Sequence, residues 1–277
     1  MTDPRHYQIA VLCTFTVFGR FWLGFDFALQ TALVTIVSAL LMQHWLFGAQ
    51  YKSALISALS LVLLLRTDTL ILAVLAAIVA IGSKRFVRIQ KRHVFNPSAL
   101  ALVLVTFMFP QAWLAPGQWG PMGLSVLLLA AAGLLVVTRA RRMDVALAFL
   151  FSFAALVLLR GWWLGDPLPI ALHQLQNGAL IVFAFFMITD PKTTAVTARL
   201  RIAQGICVAA VAAVIQFYFY QHSAALYSLV LLAPLFAMPY FHKETANEKN
   251  TSDTDARSVH DGIGQRTGLL WVLRRQG

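Results

Sequence analysis

Between Phe27 and Phe47 the sequence reads FALQTALVTIVSALLMQHWLF, with no Asp, Glu, Lys or Arg. A helix of this length rises about 30 Å, which is the thickness of the hydrocarbon core of a bilayer. Backbone polar groups find no water in that core, so a crossing segment must satisfy them internally, as a helix does. The stretch therefore predicts a transmembrane helix.

Nine further apolar stretches repeat this pattern along the chain. The ten predicted spans are Tyr7–Leu23, Phe27–Phe47, Ser53–Leu65, Thr69–Gly82, Pro97–Pro110, Met122–Thr138, Val145–Arg160, Ala171–Ile188, Ile202–Tyr218 and Ala224–Phe241. The third to fifth are short, as half-helices lining a cavity would be, although boundaries drawn too tightly explain them nearly as well. Because two charges at mid-bilayer are costly, Arg66 and Asp68 predict a turn between the third and fourth spans. We predict an all-α, polytopic integral membrane protein with about ten transmembrane helices.

The composition of the chain is that of a membrane protein, and it changes near the C-terminus. Hydrophobic residues make up 59% and charged residues 12% of the chain, and the mean hydropathy is +0.73. Soluble domains carry roughly 25% charged residues, so a soluble globular protein is excluded. Residues 1–242 form the predicted transmembrane domain. Residues 244–265 are polar and lack apolar periodicity, so we predict that residues 243–277 form a disordered cytoplasmic tail.

The net charge of +11 is distributed unevenly over the predicted loops. With both termini cytoplasmic, the outer loops hold only Arg20, Arg66 and Arg160. The inner loops hold Arg5, Lys52, Lys84, Arg85, Arg88, Lys91, Arg92, Arg139, Arg141, Arg142, Lys192, Arg199 and Arg201. Cytoplasmic loops of membrane proteins are enriched in Lys and Arg, which explains the charge without nucleic-acid binding. The pattern predicts a bacterial-type inner (plasma) membrane protein with cytoplasmic N- and C-termini.

Two short sequences recur at a nearly constant offset. A Thr-Asp pair at residues 67–68 recurs at 189–190, and Ser-Ala-Leu at 98–100 recurs as Ser-Ala-Ala-Leu at 223–226. Five spans per copy is an odd number, so the second copy would be inverted in the membrane. Inverted repeats are typical of transporter scaffolds with a site at the repeat interface. A five-plus-five inverted repeat is our hypothesis, although apolar helices align easily by chance.

Three basic residues, Lys91, Arg92 and His93, directly precede Asn96 and Pro97. Asn is a good helix N-cap and Pro a good first helical residue, so a helix is predicted to begin here. Its N–H groups, positive dipole and basic neighbours could bind an anion such as a flavin phosphate or a lipid headgroup. A basic membrane anchor followed by a capped helix explains the same residues.

The aromatic eighth span ends in the sequence FFMITDPKTT, with Thr189, Asp190 and Lys192 near the membrane boundary. Asp190 could hydrogen-bond the backbone of a turn, pair with Lys192, or serve a proton or cation path. An ionisable group at this depth is a functional candidate. Under the repeat hypothesis Asp68 and Asp190 are both candidates for that path, approaching a central site from opposite sides.

Sequence motifs for several other chemistries are absent. There is no Walker loop, GxGxxG, GxSxG or HExxH, so no catalytic residue is assigned. His44, His173 and His222 have no metal-ligand spacing, so no metal site is expected. The chain has no Fe–S or haem motif of its own.

Three stretches resemble the RnfD/NqrB family, which comprises membrane proteins of Rnf electron-transport complexes and of the sodium-pumping NADH:quinone oxidoreductase. They are DPRHYQIA at residues 3–10, the basic residues with NPSA at 96–99, and FMITDP at 186–191. The resemblance covers residues 3 to about 241. It implies ten helices, an inverted-repeat core similar to urea transporters, flavin in the membrane domain and a multi-subunit complex that couples electron transfer to ion movement.

The resemblance also implies how a flavin would be held. Larger family members attach FMN through a threonine in a Ser/Asp-Gly-Ala-Thr-like motif, which this chain lacks; the loop at residues 111–120 contains no Thr or Ser. We therefore expect FMN or riboflavin to bind non-covalently. The candidate cofactor-binding residues are Lys91, Arg92, His93, Asn96, Thr189, Asp190, Thr193 and Thr194.

The favoured interpretation is a membrane subunit of an electron-transport system, a non-autonomous part of an oxidoreductase that couples electron transfer to ion movement. Its expected partners are membrane lipid and other subunits of the complex, and no nucleic acid. The alternative is a small-solute channel or transporter with a urea-transporter-like core, which would transport alone and carry no chromophore. A third interpretation is an assembly or anchoring protein, which predicts neither flavin nor flux.

Overall fold

The computed structural model describes residues 3–22, 24–89, 92–115, 138, 142–221 and 223–237, and this part is mostly helical. The predicted span Met122–Thr138, apart from its last residue, and the predicted C-terminal tail lie outside the described residues. The helices are α1 Pro4–Phe21, α2 Leu29–Phe47, α3 Tyr51–Leu64, α4 Leu70–Phe86, α5 Pro97–Met108, α6 Met143–Leu164, α7 Leu168–Leu175, α8 Gly178–Val182, α9 Ala198–Tyr218 and α10 Ala224–Ala237. A π-helical turn, Phe183–Met187, continues α8.

Several helices are suited to a bilayer. Within the described residues, α2, α6 and α9 are long and apolar enough to cross it. The segments Leu168–Leu175 and Gly178–Met187 make a fourth crossing if they count as one span, and α3, α5 and α10 are shorter apolar helices. The chain is therefore a multi-pass membrane protein. Nine of the ten predicted spans coincide with helices, whereas the number of complete crossings stays a prediction.

The predicted eighth span, Ala171–Ile188, is not one straight helix. It contains α7, a break, and α8 with its π-helical turn, and the two parts are bent by 48°. Asn177 begins the second part as its N-cap, because its Oδ1 accepts the N–H of Ala179 at 2.9 Å. The sequence Asn177-Gly178 signals this break, which the hydropathy pattern alone missed.

Two short antiparallel pairings form the described connections. In one, β1 (Leu65–Thr67) pairs with β4 (Ala112–Leu114), and Arg66 faces Trp113. In the other, β2 (Arg88–Ile89) and β3 (Arg92–His93) form a hairpin before α5. The first pairing separates α3 from α4, so the predicted interruption between the third and fourth spans is confirmed, although Arg66 lies in a short strand rather than in a turn.

Helix packing is most extensive between α6 and α9 and between α2 and α4. Gly205 of α9 lies directly on α6, since a Cβ at this position would be 2.8 Å from the carbonyl oxygen of Val145. At the same end, Arg201 and Asp144 form an ion pair, with Arg201 Nε donating to Asp144 Oδ2 at 2.6 Å. Because Gly205 has no side chain, α9 can approach α6 closely, and the ion pair links the same two helices.

Candidate functional site

A cavity of about 300 Å³ lies where α1, α3 and α5 begin and the π-helical turn ends. Its wall includes four of the residues predicted from sequence, namely His93, Asn96, Thr189 and Asp190. The volume is at the lower end of the range for small-molecule sites, about 300–1,000 Å³. Two sequence stretches almost one hundred residues apart thus contribute to one site.

Asn96 joins those two stretches. It is the N-cap of α5, as predicted, and its Oδ1 accepts the N–H of Ala99 at 3.1 Å and the hydroxyl of Ser98 at 2.9 Å. Its Nδ2 donates to the carbonyl oxygen of Met187 at 3.1 Å. Asn96 therefore uses both ends of its amide to fix the start of α5 against the π-helical turn.

Arg92 makes a second connection between the stretches. Its guanidinium donates to the carbonyl oxygens of Pro191 at 2.5 Å and of Lys192 at 3.4 Å. The β2–β3 hairpin is thereby attached to the turn that follows Asp190. Lys91, the other basic candidate of this segment, lies outside the described residues.

The turn after the π-helix is held by its own polar side chains. Asp190 Oδ1 accepts the N–H of Lys192 at 3.0 Å, which is the turn-capping role considered from sequence. Thr194 donates its hydroxyl to the carbonyl oxygens of Asp190 and Ile188 at 2.5 and 3.1 Å. Thr193 donates to the same Asp190 oxygen at 3.4 Å. Thr193 and Thr194 thus stabilise the turn and do not line the cavity.

His93 lies in the β-hairpin, outside the helices, and only 7% of it is exposed. Burial lowers the pKa of its imidazole to about 3, and the positive charges of Lys192, Lys84 and Arg88 add to this effect. His93 is therefore neutral at physiological pH. Its Nδ1 has no hydrogen-bond partner among the described residues, which leaves a buried polar atom at the cavity wall.

Asp190 is an acid surrounded by cations. Burial of its carboxyl raises the pKa, and this effect exceeds the lowering by the N–H of Lys192 and by the charges of Lys192, Lys84 and Arg92. Asp68, the other candidate for an ion path, is exposed on the connection between α3 and α4 and does not line the cavity. The structure therefore places only one of the two acids at this site.

Sequence analysis missed the contribution of α3 to the site. Ser53, Ser57 and Ser60 line the cavity from this helix. Behind them Lys84, only 3% exposed, donates from its Nζ to the carbonyl oxygen and the hydroxyl of Ser53 at 2.8 and 3.1 Å. The spacing of the serines, four and then three residues apart in an apolar helix, places them on one face and was the available signal.

The start of α1 closes another side of the cavity. Asp3, Arg5 and Gln8 line it, and Asp3 caps α1 by accepting the N–H of Arg5 at 3.0 Å. Asp3 Oδ2 also accepts from Lys52 Nζ at 3.3 Å, which ties α1 to the start of α3. Together with Lys192, the side chain of Arg5 places two cations at the wall.

Metal binding has no support in the described part of the chain. There, no group of three His, Cys, Asp or Glu side chains comes together as a metal site. His44, one of the histidines considered from sequence, has its Nδ1 2.8 Å from the hydroxyl of Tyr51 instead. The cavity wall combines hydroxyl groups, two cations and two aromatic rings with the carboxyl groups of Asp3 and Asp190 and the imidazole of His93.

Comparison with known proteins links the chain to one family. Residues 115–249 match the NQR2, RnfD, RnfE family. An ion-translocating oxidoreductase complex protein of Mannheimia succiniciproducens, one subunit of that complex, is 31% identical over 125 residues, or 45% of this chain and 34% of that protein. The matched region thus spans about a third of the length of this curated relative.

Proposed function

Because residues 115–249 match the NQR2, RnfD, RnfE family, we propose that the chain is a member of this family and a membrane subunit of an ion-translocating oxidoreductase complex. This proposal is supported by the similarity to a subunit of such a complex and by the apolar helices, which are typical of a membrane protein. Its partners are other subunits of such a complex and the surrounding lipid. The basic loops support cytoplasmic termini and an inner-membrane location.

The cavity is the proposed site of a non-covalent flavin, either FMN or riboflavin. The residues present fit such a group, since Phe185 and Phe186 supply aromatic rings, and Arg5 and Lys192 supply cations for a phosphate. A buried histidine nitrogen without a partner in the described structure also favours a polar occupant. The main support for the flavin proposal is that the basic segment around His93 and the Thr189–Lys192 turn line the same cavity.

A bound flavin would supply the electron-transfer chemistry, and the chain would supply binding, orientation and electrostatics. Asn96 fixes two walls of the cavity relative to each other through Met187. Arg92 anchors the turn that carries Lys192. Each of these roles belongs to a residue of this chain and needs no covalent link.

Ion or proton movement is proposed to involve Asp190 rather than Asp68 at this cavity. Burial raises the pKa of Asp190 and so favours its protonated form, and its position at the cavity wall gives access to the site. The inverted-repeat hypothesis keeps Asp68 as a candidate in the first copy. The repeat hypothesis is supported by helix packing: α2 packs on α4 in the first half of the chain, and α6 packs on α9 at the corresponding positions of the second half.

Titration of the purified full-length chain with riboflavin and FMN tests the flavin proposal. Quenching of flavin fluorescence that saturates, and that Phe186→Ala weakens, is the expected result. The same preparation in liposomes tests the alternative, a small-solute channel, which the row of cavity hydroxyls on α3 favours. Solute flux without flavin binding would replace the proposed function by that alternative, and neither flavin nor flux would favour an anchoring protein.

A further inference from the structure

Most hydroxyl groups at the cavity wall are already committed as donors. Ser57 donates to the carbonyl oxygen of Ser53 at 3.1 Å, and Ser60 donates to that of Ile56 at 2.9 Å. The other two, Ser98 and Thr189, donate to Asn96 Oδ1 at 2.9 Å and to the carbonyl oxygen of Phe185 at 2.6 Å. These four groups therefore present oxygen lone pairs, but no hydrogen, to a molecule in the cavity.

Ser53 differs from them because its oxygen is an acceptor. Lys84 Nζ donates to Ser53 Oγ at 3.1 Å and also to the Ser53 carbonyl oxygen at 2.8 Å, which fixes the ammonium group against the first turn of α3. Within the described structure, the hydroxyl hydrogen of Ser53 is given to no acceptor. A hydroxyl that accepts from a cation is polarised and becomes a better donor.

Lys84 is buried behind the cavity wall and, in the part of the chain that the structure describes, hydrogen-bonds to that wall only through Ser53. The side chain is almost fully buried, and a buried ammonium group is retained only where polar groups receive it. Both of its hydrogen bonds go to one residue, Ser53, which lines the cavity, whereas Lys84 itself does not. Lys84 therefore acts on the cavity through Ser53.

We propose that Ser53, held and polarised by Lys84, is the hydrogen-bond donor that recognises an acceptor atom of the molecule bound in the cavity. This inference rests on the proposed flavin site, and the acceptor is then one of the two ring carbonyl oxygens of the flavin. The neighbouring oxygen atoms of Ser57 and Ser60 can only accept hydrogen bonds, so they favour donor groups of the ligand. Ser53 therefore determines which way the ligand is oriented, because an acceptor atom of the ligand must face it. Ser53 is a specificity-determining residue, and Lys84 is a positioning residue.

The test compares riboflavin with its 2-thio and 4-thio analogues, in which sulfur replaces one ring carbonyl oxygen and accepts hydrogen bonds more weakly. Dissociation constants are measured by titration of the full-length chain in mild detergent. The wild-type chain should bind one of the two analogues more weakly than riboflavin. Ser53→Ala should bind riboflavin about tenfold more weakly, the loss expected for one charge-assisted hydrogen bond, and should no longer distinguish that analogue.

Three further variants separate this role from a general loss of structure. Ser57→Ala removes a hydroxyl from the same face of α3 and should lose less affinity than Ser53→Ala. Ser83→Ala removes a buried hydroxyl that donates to Ala80 at 2.8 Å outside the cavity, and should match the wild type. Lys84→Gln should lose the discrimination between riboflavin and the analogue, and adding Ser53→Ala should cost little more, because Lys84 acts through Ser53.

The failures of the two proposals are distinguishable. Riboflavin binding that Ser53→Ala leaves unchanged, or an analogue preference that survives in Ser53→Ala, would overturn the donor role while the flavin site stands. Absence of riboflavin and FMN binding by the wild-type chain would overturn the flavin site and the donor with it. Because Ser53→Ala removes a single oxygen atom, the result does not depend on whether Lys84→Gln folds.

Discussion

Asn96 Nδ2 and the carbonyl oxygen of Met187 are joined by a buried hydrogen bond of 3.1 Å across 91 positions of the chain. The bond connects the first turn of α5 to the end of the π-helical turn. The same amide caps α5 through Ala99. Asn96 therefore holds two walls of the cavity, the start of α5 and the end of the π-helical turn, in contact with each other.

Replacing Asn96 by Ala should therefore destabilise the protein more than the loss of an ordinary N-cap. Loss of the cap and of the buried bond to Met187 together should lower the free energy of unfolding by about 2–4 kcal/mol. Asn177→Ala is the matched control, because Asn177 caps α8 by a single bond to Ala179, and it should cost about 1 kcal/mol. Denaturant unfolding in mild detergent measures both, and equal losses would contradict the connecting role of Asn96.

Arg92→Gln should weaken flavin binding by releasing the turn at Pro191 and Lys192 from the hairpin. Arg85→Gln is the control, since it removes the same charge from an exposed residue of the adjacent helix end. Titration with FMN should give a weaker dissociation constant for the Arg92 variant only. A similar loss in both variants would mean that general electrostatic attraction, rather than the anchoring of the turn, determines affinity.

Gly205→Ala should separate α6 from α9. The added Cβ would lie 2.8 Å from the carbonyl oxygen of Val145, and backbone atoms have little freedom to move away. The expected loss is about 1–3 kcal/mol in the free energy of unfolding. Gly82→Ala adds the same atom to α4, where the nearest neighbour is 3.9 Å away, and should be neutral or stabilise by up to about 1 kcal/mol. Thermal unfolding of the two variants provides the comparison, and equal midpoints would be inconsistent with the close contact.

His93 should make stability depend on pH. Its pKa falls from 6.5 in the unfolded chain to about 3 in the folded protein, so between these values the unfolded state binds more protons. The contribution of neutral His93 to stability is therefore complete above pH 6.5 and is lost as the pH falls toward about 3. His93→Gln should flatten this part of the profile of unfolding midpoint against pH. An unchanged slope in the variant would assign the dependence to other groups.

Local signals in the sequence predicted much of the architecture. Asn96 followed by Pro97 fixed the start of α5, and the charges near Arg66 predicted the separation of α3 from α4. These features depend on neighbouring residues, whose chemistry is visible in the sequence. The break before Asn177 was missed because a hydropathy pattern averages over the few residues that interrupt a helix.

The candidate site was predictable only in part, because its geometry depends on contacts between distant segments. The motifs around Asn96 and Asp190 were identified separately, and the resemblance to a family suggested that both bind flavin. Their direct connection through Met187 depends on packing. The role of Ser53 depends on its hydrogen bonds to Lys84, 31 positions away, which no local pattern indicates.

The visible absorption spectrum of the purified full-length chain, recorded before and after acid precipitation, tests the central claim most directly. Non-covalent flavin predicts flavin absorption bands in the folded protein that move to the supernatant when acid unfolds it. Colour that remains with the precipitated protein would contradict the non-covalent assignment and indicate a covalent link. A colourless folded preparation that also fails to take up added riboflavin or FMN would contradict the flavin site itself.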